Sequence, residues 1–235
     1  LEKYILHRLW EINQTVEECV NTFNFHLMFT TLLNFCSNDL SAFYFDIRKD
    51  SIYCDSFQST KRRASRTLLD LIFNHLVRWL APSLVFTCEE AWKSRGYTSS
   101  IHLEDFFSAK KEYQSADLRK KWDTIKNVRK VITGALEKKR AEKIIGSSLE
   151  AHIKVFVSDE IKKIITNIHL DEIAITSSYE LLSNEGAVSG FVMDEIEGVC
   201  VEVEKVAGNK CNRCWKFTQA LNDNQICDRC EEVIQ

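Results

Sequence analysis

Apolar residues recur at three- and four-residue steps through the first half of the chain, the spacing of helices with one buried face. Ile5, Leu9, Ile12, Val16, Val20, Phe23 and Leu27 mark one such face along an extended helical stretch. Between Lys61 and Leu80 the apolar positions (Leu68, Leu69, Leu71, Ile72, Phe73, Leu76, Trp79, Leu80) fall on more than one face, which predicts the central helix of a bundle. Pro82, the only proline, is expected to open the next helix, because a first-turn residue has no use for its missing N–H. Residues 94–118 keep no period and read as a connection with short structure. The helical stripe then returns at Trp122, Ile125, Val128, Ile132 and Leu136, with Lys126 and Lys130 on the other side. Beyond Leu136 it fails. Lys139 and Lys143 stand seven residues after Ile132 and Leu136, so basic residues take over the apolar face.

After Gly146 the texture changes to β-branched runs at Ala151–Val157, Ile173–Thr176 and Val199–Val206. In the last, Val199, Val201 and Val203 alternate with Cys200, Glu202 and Glu204, the period-2 pattern of a half-buried strand. A short helix is expected between Asp159 and Asn167. The predicted architecture is mainly α: a helical bundle over 1–118, a basic helix and junction over 119–148, a small α/β domain over 149–207, and a ribbon over 208–235.

That ribbon rests on four cysteines. Cys211-x-x-Cys214-Trp215 and Cys227-x-x-Cys230, with twelve residues between the pairs, have the spacing of a tetrahedral Zn2+ site. Four sulfur ligands leave no open position, so the metal is expected to be structural; a rubredoxin-type iron is the other ion such a cage suits. Some thirty residues cannot bury enough surface to fold alone, whereas structural zinc contributes an apparent ~10–16 kcal/mol. The remaining cysteines, Cys19, Cys36, Cys54, Cys88 and Cys200, are scattered in apolar surroundings and read as core residues of a reducing compartment. With no stretch of 18 apolar residues and a start at Leu1-Glu2-Lys3, the chain reads as a cytoplasmic fragment, not bound to membrane.

The net charge of -3 conceals an asymmetry, for residues 119–143 carry ten Lys/Arg against three Asp/Glu. A polyanion is the partner such a segment suits, and the alternative is a solvated basic helix end favoured by the helix dipole. Chemistry is otherwise absent: there is no G-x-S-x-G, G-x-G-x-x-G, P-loop or H-E-x-x-H, and no catalytic residue is predicted. His75 reads as a core histidine, and the adjacent acids Glu89-Glu90 as surface charge, since neighbouring helix residues do not face each other.

Several segments taken together resemble the bacterial-type isoleucyl-tRNA synthetases, class I aminoacyl-tRNA synthetases. They are Asp39-Leu40-Ser41-Ala42-Phe43-Tyr44 with Asp46, Lys49-Asp50 and Tyr53; Arg62-Arg63 leading to Leu80-Ala81-Pro82 and Phe86-Thr87-Cys88-Glu89-Glu90-Ala91-Trp92; Arg140 before Ile145-Gly146-x-Ser148-Leu149-Glu150-Ala151; and the four-cysteine ribbon. The similar valyl enzymes lack the ribbon, and formamidopyrimidine-DNA glycosylases share the ribbon without the bundle. The resemblance implies an anticodon-binding bundle, a junction and a zinc domain that grip the anticodon arm of isoleucine tRNA, in a monomer. The family's H-I-G-H and K-M-S-K-S signatures do not occur here, so ATP binding, isoleucine transfer and editing are expected in a catalytic domain elsewhere in the same protein. Expected RNA contacts are Lys138, Lys139, Arg140 and Lys143 to phosphates, and Arg213, Trp215 and Lys216 near unstacked bases. Trp215 has a second reading, as a lid over the metal cage. The alternative function is a zinc-ribbon module for protein interaction or DNA binding, without tRNA specificity.

Overall fold

The first helix, α1 (Glu2–Asn21), buries Tyr4, Ile5, Leu9, Ile12, Val16 and Cys19. The predicted stripe holds as far as Val16 and then breaks. Phe23, at φ 58°, ends the helix in the left-handed conformation, its N–H returning to Val20 O (3.4 Å) and that of Asn24 to Cys19 O (2.9 Å). This pair of bonds satisfies the terminal carbonyls as a Schellman closure does. Phe23 and Leu27, predicted on the buried face, are exposed as a result.

The computed structural model describes residues 1–184 and 189–234. These form two compact units, Leu1–Ile52 with Ser56–Leu118, and Tyr53–Asp55 with the chain from Arg119 onward. In the first unit α2 (Phe25–Asn34) is capped by Asn24, runs into a π-helical stretch over Phe35–Phe45, and leads to α3 (Asp46–Cys54). The π-helical stretch turns Asp39 toward Arg8 (3.1 Å) and Tyr44 toward Glu2 (3.4 Å). Glu2 also accepts from Arg48 (2.9 Å) and Ser65 (3.1 Å). Burial would raise the Glu2 carboxyl, but the Arg48 hydrogen bond and charge outweigh it and hold the group below its ordinary value.

Helix α4 (Thr60–Leu80) buries Leu68, Ile72, His75 and Trp79 along one stripe and Val77 on the opposite face, as the apolar pattern on more than one face predicted, and packs against α1 and α5 (Val85–Ser94). Its other apolar residues are half-buried. Pro82 lies in the turn before α5 rather than at its first position, because Leu80 O accepts from both Ser83 N (3.0 Å) and Leu84 N (2.7 Å) and winds the chain once more. Glu89 then closes the following loop by accepting from Ser100 Oγ and Ile101 N, both at 2.9 Å. This acid is therefore structural.

Helix α6 (Ala116–Ala141) buries Trp122, Ile125, Val128, Ile132 and Leu136, the predicted stripe. In the second unit it is followed by a four-stranded sheet of order β2-β1-β4-β3. Strands β1 (Ala151–Val157) and β2 (Ser178–Ser183) are parallel, joined through α7 (Asp159–Ile165) and α8 (Leu170–Ala174); β4 (Ile196–Lys205) is antiparallel to β1 and to β3 (Phe191–Met193). Ile153, Val155 and Val157 of β1 stand opposite Val203, Val201 and Val199 of β4, so the branched residues of both predicted strands share one core. The expected strand at Ile173–Thr176 is instead the end of α8. Ile175 takes φ 59°, and Thr176 N returns to Asp171 O (2.8 Å), so this β-branched run closes a helix. Gly134 of α6 lets Phe191 approach, since a Cβ there would stand 2.7 Å from its ring.

Candidate metal centre and nucleic-acid surface

The ribbon begins with a hairpin, β5 (Asn209–Lys210) and β6 (Phe217–Thr218), whose loop carries Cys211 and Cys214. Gly208 is required at its base: its φ is 122°, and a Cβ would meet Thr218 O at 2.4 Å. Inside the loop Trp215 N donates to Cys211 O and Cys211 N to Lys216 O, both 2.9 Å. Trp215 consequently adopts φ 66°. The second pair sits at the start of α9 (Asp228–Ile234), where Cys230 N and Glu231 N donate to Cys227 O. Asn222 shapes the approach by accepting from Asn224 N (3.0 Å) and Ile226 N (3.1 Å).

These two loops bring the sulfurs of Cys211, Cys214, Cys227 and Cys230 within 4.8 Å of one another. Cys214 Sγ and Cys227 Sγ are 3.8 Å apart. Tetrahedral zinc with Zn–S near 2.3 Å requires sulfurs about 3.8 Å apart, so this edge already has the size of a metal-bound one. Charge points the same way. Burial raises the Cys214 and Cys227 thiols, whereas at Cys211 donors from the backbone of Cys214, Cys227 and Arg213 outweigh burial and bring the thiol down to about 6. Four sulfurs this close, three of them on buried residues, cannot all ionise together without a cation among them. The donor set suits a soft divalent ion, and Arg213, which hydrogen-bonds Cys230, adds positive charge beside it.

The predicted RNA-contact residues have different surroundings. Arg213 donates to Cys54 O (2.6 Å) and Tyr53 O (3.3 Å), while Cys54 Sγ approaches Arg213 O at 3.7 Å. Lys216 pairs with Asp171 at 2.8 Å. Trp215 is 59% exposed, with Lys210 Nζ 5.3 Å from its ring centroid. At the end of α6, Lys139 pairs with Glu142 (3.0 Å), and Arg140 with Glu137 while donating to Ser148 Oγ (3.1 Å). Lys138 and Lys143 are exposed. Lys143, at φ 57°, closes α6 as Phe23 closes α1, with Ile144 N bonded to Lys139 O at 3.1 Å. Basic side chains are thereby gathered around the negative end of the helix dipole.

Sequence reasoning missed Tyr53–Asp55. Cys54 is buried in the same cluster as the cage cysteines and Ile226, and Arg229 pairs with Asp55 at 3.6 Å. No local pattern signals a contact across 159 residues. It also missed Ser177, whose hydroxyl accepts from Phe217 N (2.7 Å) and donates to Leu149 O (2.5 Å), fastening β6 to the start of the sheet. The serine lay beside a stretch predicted as strand, so its position carried no clue.

A profile of the family described as anticodon-binding domain of tRNA ligase matches residues 2–155. Among curated relatives, the isoleucine–tRNA ligase of Bartonella henselae is 46% identical over 226 residues, covering 95% of this chain and 23% of the relative. That of Agrobacterium fabrum is 44% identical over 93% of the chain and 23% of the relative, and that of Gluconobacter oxydans 42% over 100% and 24%. The chain thus spans about a quarter of the length of the curated relatives it matches. Among the described residues no helix is long and apolar enough to cross a membrane.

Proposed function

Because the chain belongs to the family of anticodon-binding domains of tRNA ligases, we propose that it is the tRNA-binding C-terminal part of an isoleucine–tRNA ligase. It holds the anticodon arm of tRNA-Ile while a catalytic domain of the same protein attaches isoleucine in an ATP-dependent reaction. The family match over residues 2–155 carries this reading, and the relatives named isoleucine–tRNA ligase support the choice of amino acid. This chain supplies binding rather than chemistry, and works in a cytoplasmic monomer.

Cys211, Cys214, Cys227 and Cys230 hold one structural zinc, which supplies no chemistry beyond shaping the ribbon. Lys138, Lys139, Arg140 and Lys143 contact phosphates, which fix the position of the RNA without reading its sequence. The ion pairs of Lys139 and Arg140 lie at the surface, where such pairs stabilise by at most about 1 kcal/mol and give way readily to a phosphate. Trp215 stacks on an unpaired base. Arg213 and Lys216 act beside it, aligning the loop through their bonds to Cys54, Tyr53 and Asp171.

The test is a gel-shift competition on labelled tRNA-Ile. Unlabelled tRNA-Ile should compete best, tRNA with another anticodon less well, and duplex DNA least. Equal competition by duplex DNA, or no complex with any tRNA, would overturn the reading.

A further inference from the structure

Lys61, Arg62, Arg63 and Arg66 crowd the first two turns of α4, whose first turn holds no acidic residue. Cations are disfavoured at that end of a helix dipole, so helix stability gives no reason for them. Arg62 lies over the Phe57 ring at 4.3 Å. Arg63 and Arg66 are exposed, and among the described residues neither has a carboxylate at ion-pair distance.

Positions 63, 66, 70 and 73 share one face of α4 by their spacing. With Arg95, just past the end of α5, they line an open groove of 610 Å³. Asp70, four residues after Arg66, would be its natural partner, but its carboxylate is taken by Arg95. Arg95 also lies 5.5 Å over the Phe73 ring. The groove therefore offers three guanidinium groups against one carboxylate over a partly apolar floor.

We propose that this groove, carried wholly by the first unit, binds the sugar–phosphate backbone of RNA. The inference rests on the reading of the chain as a tRNA-binding protein and adds a site to it. Its cations are all arginine, whose planar fork matches two phosphate oxygens at once and is weakly hydrated. An open groove of net positive charge concentrates a polyanion.

The experiment measures binding of the whole chain to tRNA-Ile across a salt series, for wild type and for Arg63→Gln/Arg66→Gln. Loss of two phosphate contacts should lower the slope of log affinity against log salt by about 2 and weaken binding roughly tenfold at low salt. The melting temperature should stay level or rise, because two charges opposed by the helix dipole are gone. Arg95→Gln, which leaves α4 intact, provides a second variant; it frees Asp70 to neutralise Arg66 and should also weaken binding and flatten the slope. Unchanged slope and affinity in either folded variant would overturn the site. So would polyglutamate competing with tRNA for the wild type but not for the variants, since the groove would then accept carboxylates. Failure of the wild type itself to bind tRNA would instead remove the proposed function, and the groove's role with it.

Discussion

At φ 66°, Trp215 occupies the left-handed region that glycine or asparagine enters at lower cost. A non-glycine residue there forfeits about 1–2 kcal/mol, and the exposed indole recovers little of it by packing. Folding alone would favour a smaller residue, which is why we propose that the ring serves RNA binding. Trp215→Gly should therefore retain metal and thermal stability as well as the wild type while binding tRNA-Ile roughly tenfold to a hundredfold more weakly, the equivalent of ~1–3 kcal/mol of stacking. Loss of metal from a reduced, purified Trp215→Gly protein would return the ring to a structural role. The Cys-x-x-Cys-Trp pattern drew attention to this residue. It could not reveal the backbone conformation, which follows from the bond of Trp215 N to Cys211 O.

Among the elements, two make opposite demands on pH and metal. The ribbon has little apolar core beyond Ile226, Leu221 and the sulfurs themselves, so the ion we propose in its cage would supply most of its folding free energy. Chelation under reducing conditions should melt residues 208–234 locally, seen as loss of amide protection there with the helices of the first unit still protected. Retained protection in metal-free protein would show that the cage folds without an ion.

Helix α4 answers to protons instead. His75 is fully buried, Nδ1 bonds Leu71 O at 2.7 Å, Nε2 has no hydrogen-bond partner, and the rings of Trp79 and Phe107 lie 5.2 and 4.8 Å away. Burial, aided by Arg78, lowers its pKa below the ordinary 6.5. The unfolded chain then binds the proton first as pH falls. Stability contributed by neutral His75 is complete above pH 6.5 and declines below it toward the folded pKa. His75→Leu should flatten that acid limb in a denaturation series; an undiminished limb would assign the slope to other groups.

Legibility at this scale followed periodicity. The stripe from Trp122 to Leu136 and the alternation from Val199 to Val203 report burial directly, and both elements form where they were expected. Helix ends were less legible, because Phe23 and Ile175 close helices in a conformation their side chains disfavour, held there by the return bonds of Asn24 N to Cys19 O and Thr176 N to Asp171 O. Pro82 misled for a related reason: the fixed φ suits a turn as well as a first helical position.

For the whole molecule, what could be read was order and charge. The cysteine doublets, the basic run at 119–143 and the succession of motifs are linear features, and linear features survive in a sequence. Tyr53–Asp55 are not of that kind. They join the second unit through Arg213 and Arg229, contacts that no periodicity announces. Equally, the Arg63–Arg66–Arg95 groove needs two helices folded side by side before it exists as a site.

The central claim, that this chain serves the tRNA side of an isoleucine ligase and leaves amino-acid chemistry to the rest of the protein, separates two activities. Full-length ligase lacking residues 208–235 should still exchange pyrophosphate with ATP in the presence of isoleucine at the wild-type rate. Its kcat/KM for charging tRNA-Ile should fall at least a hundredfold, roughly 2.7 kcal/mol or more. Wild-type charging of tRNA-Ile by that truncated enzyme would contradict the account.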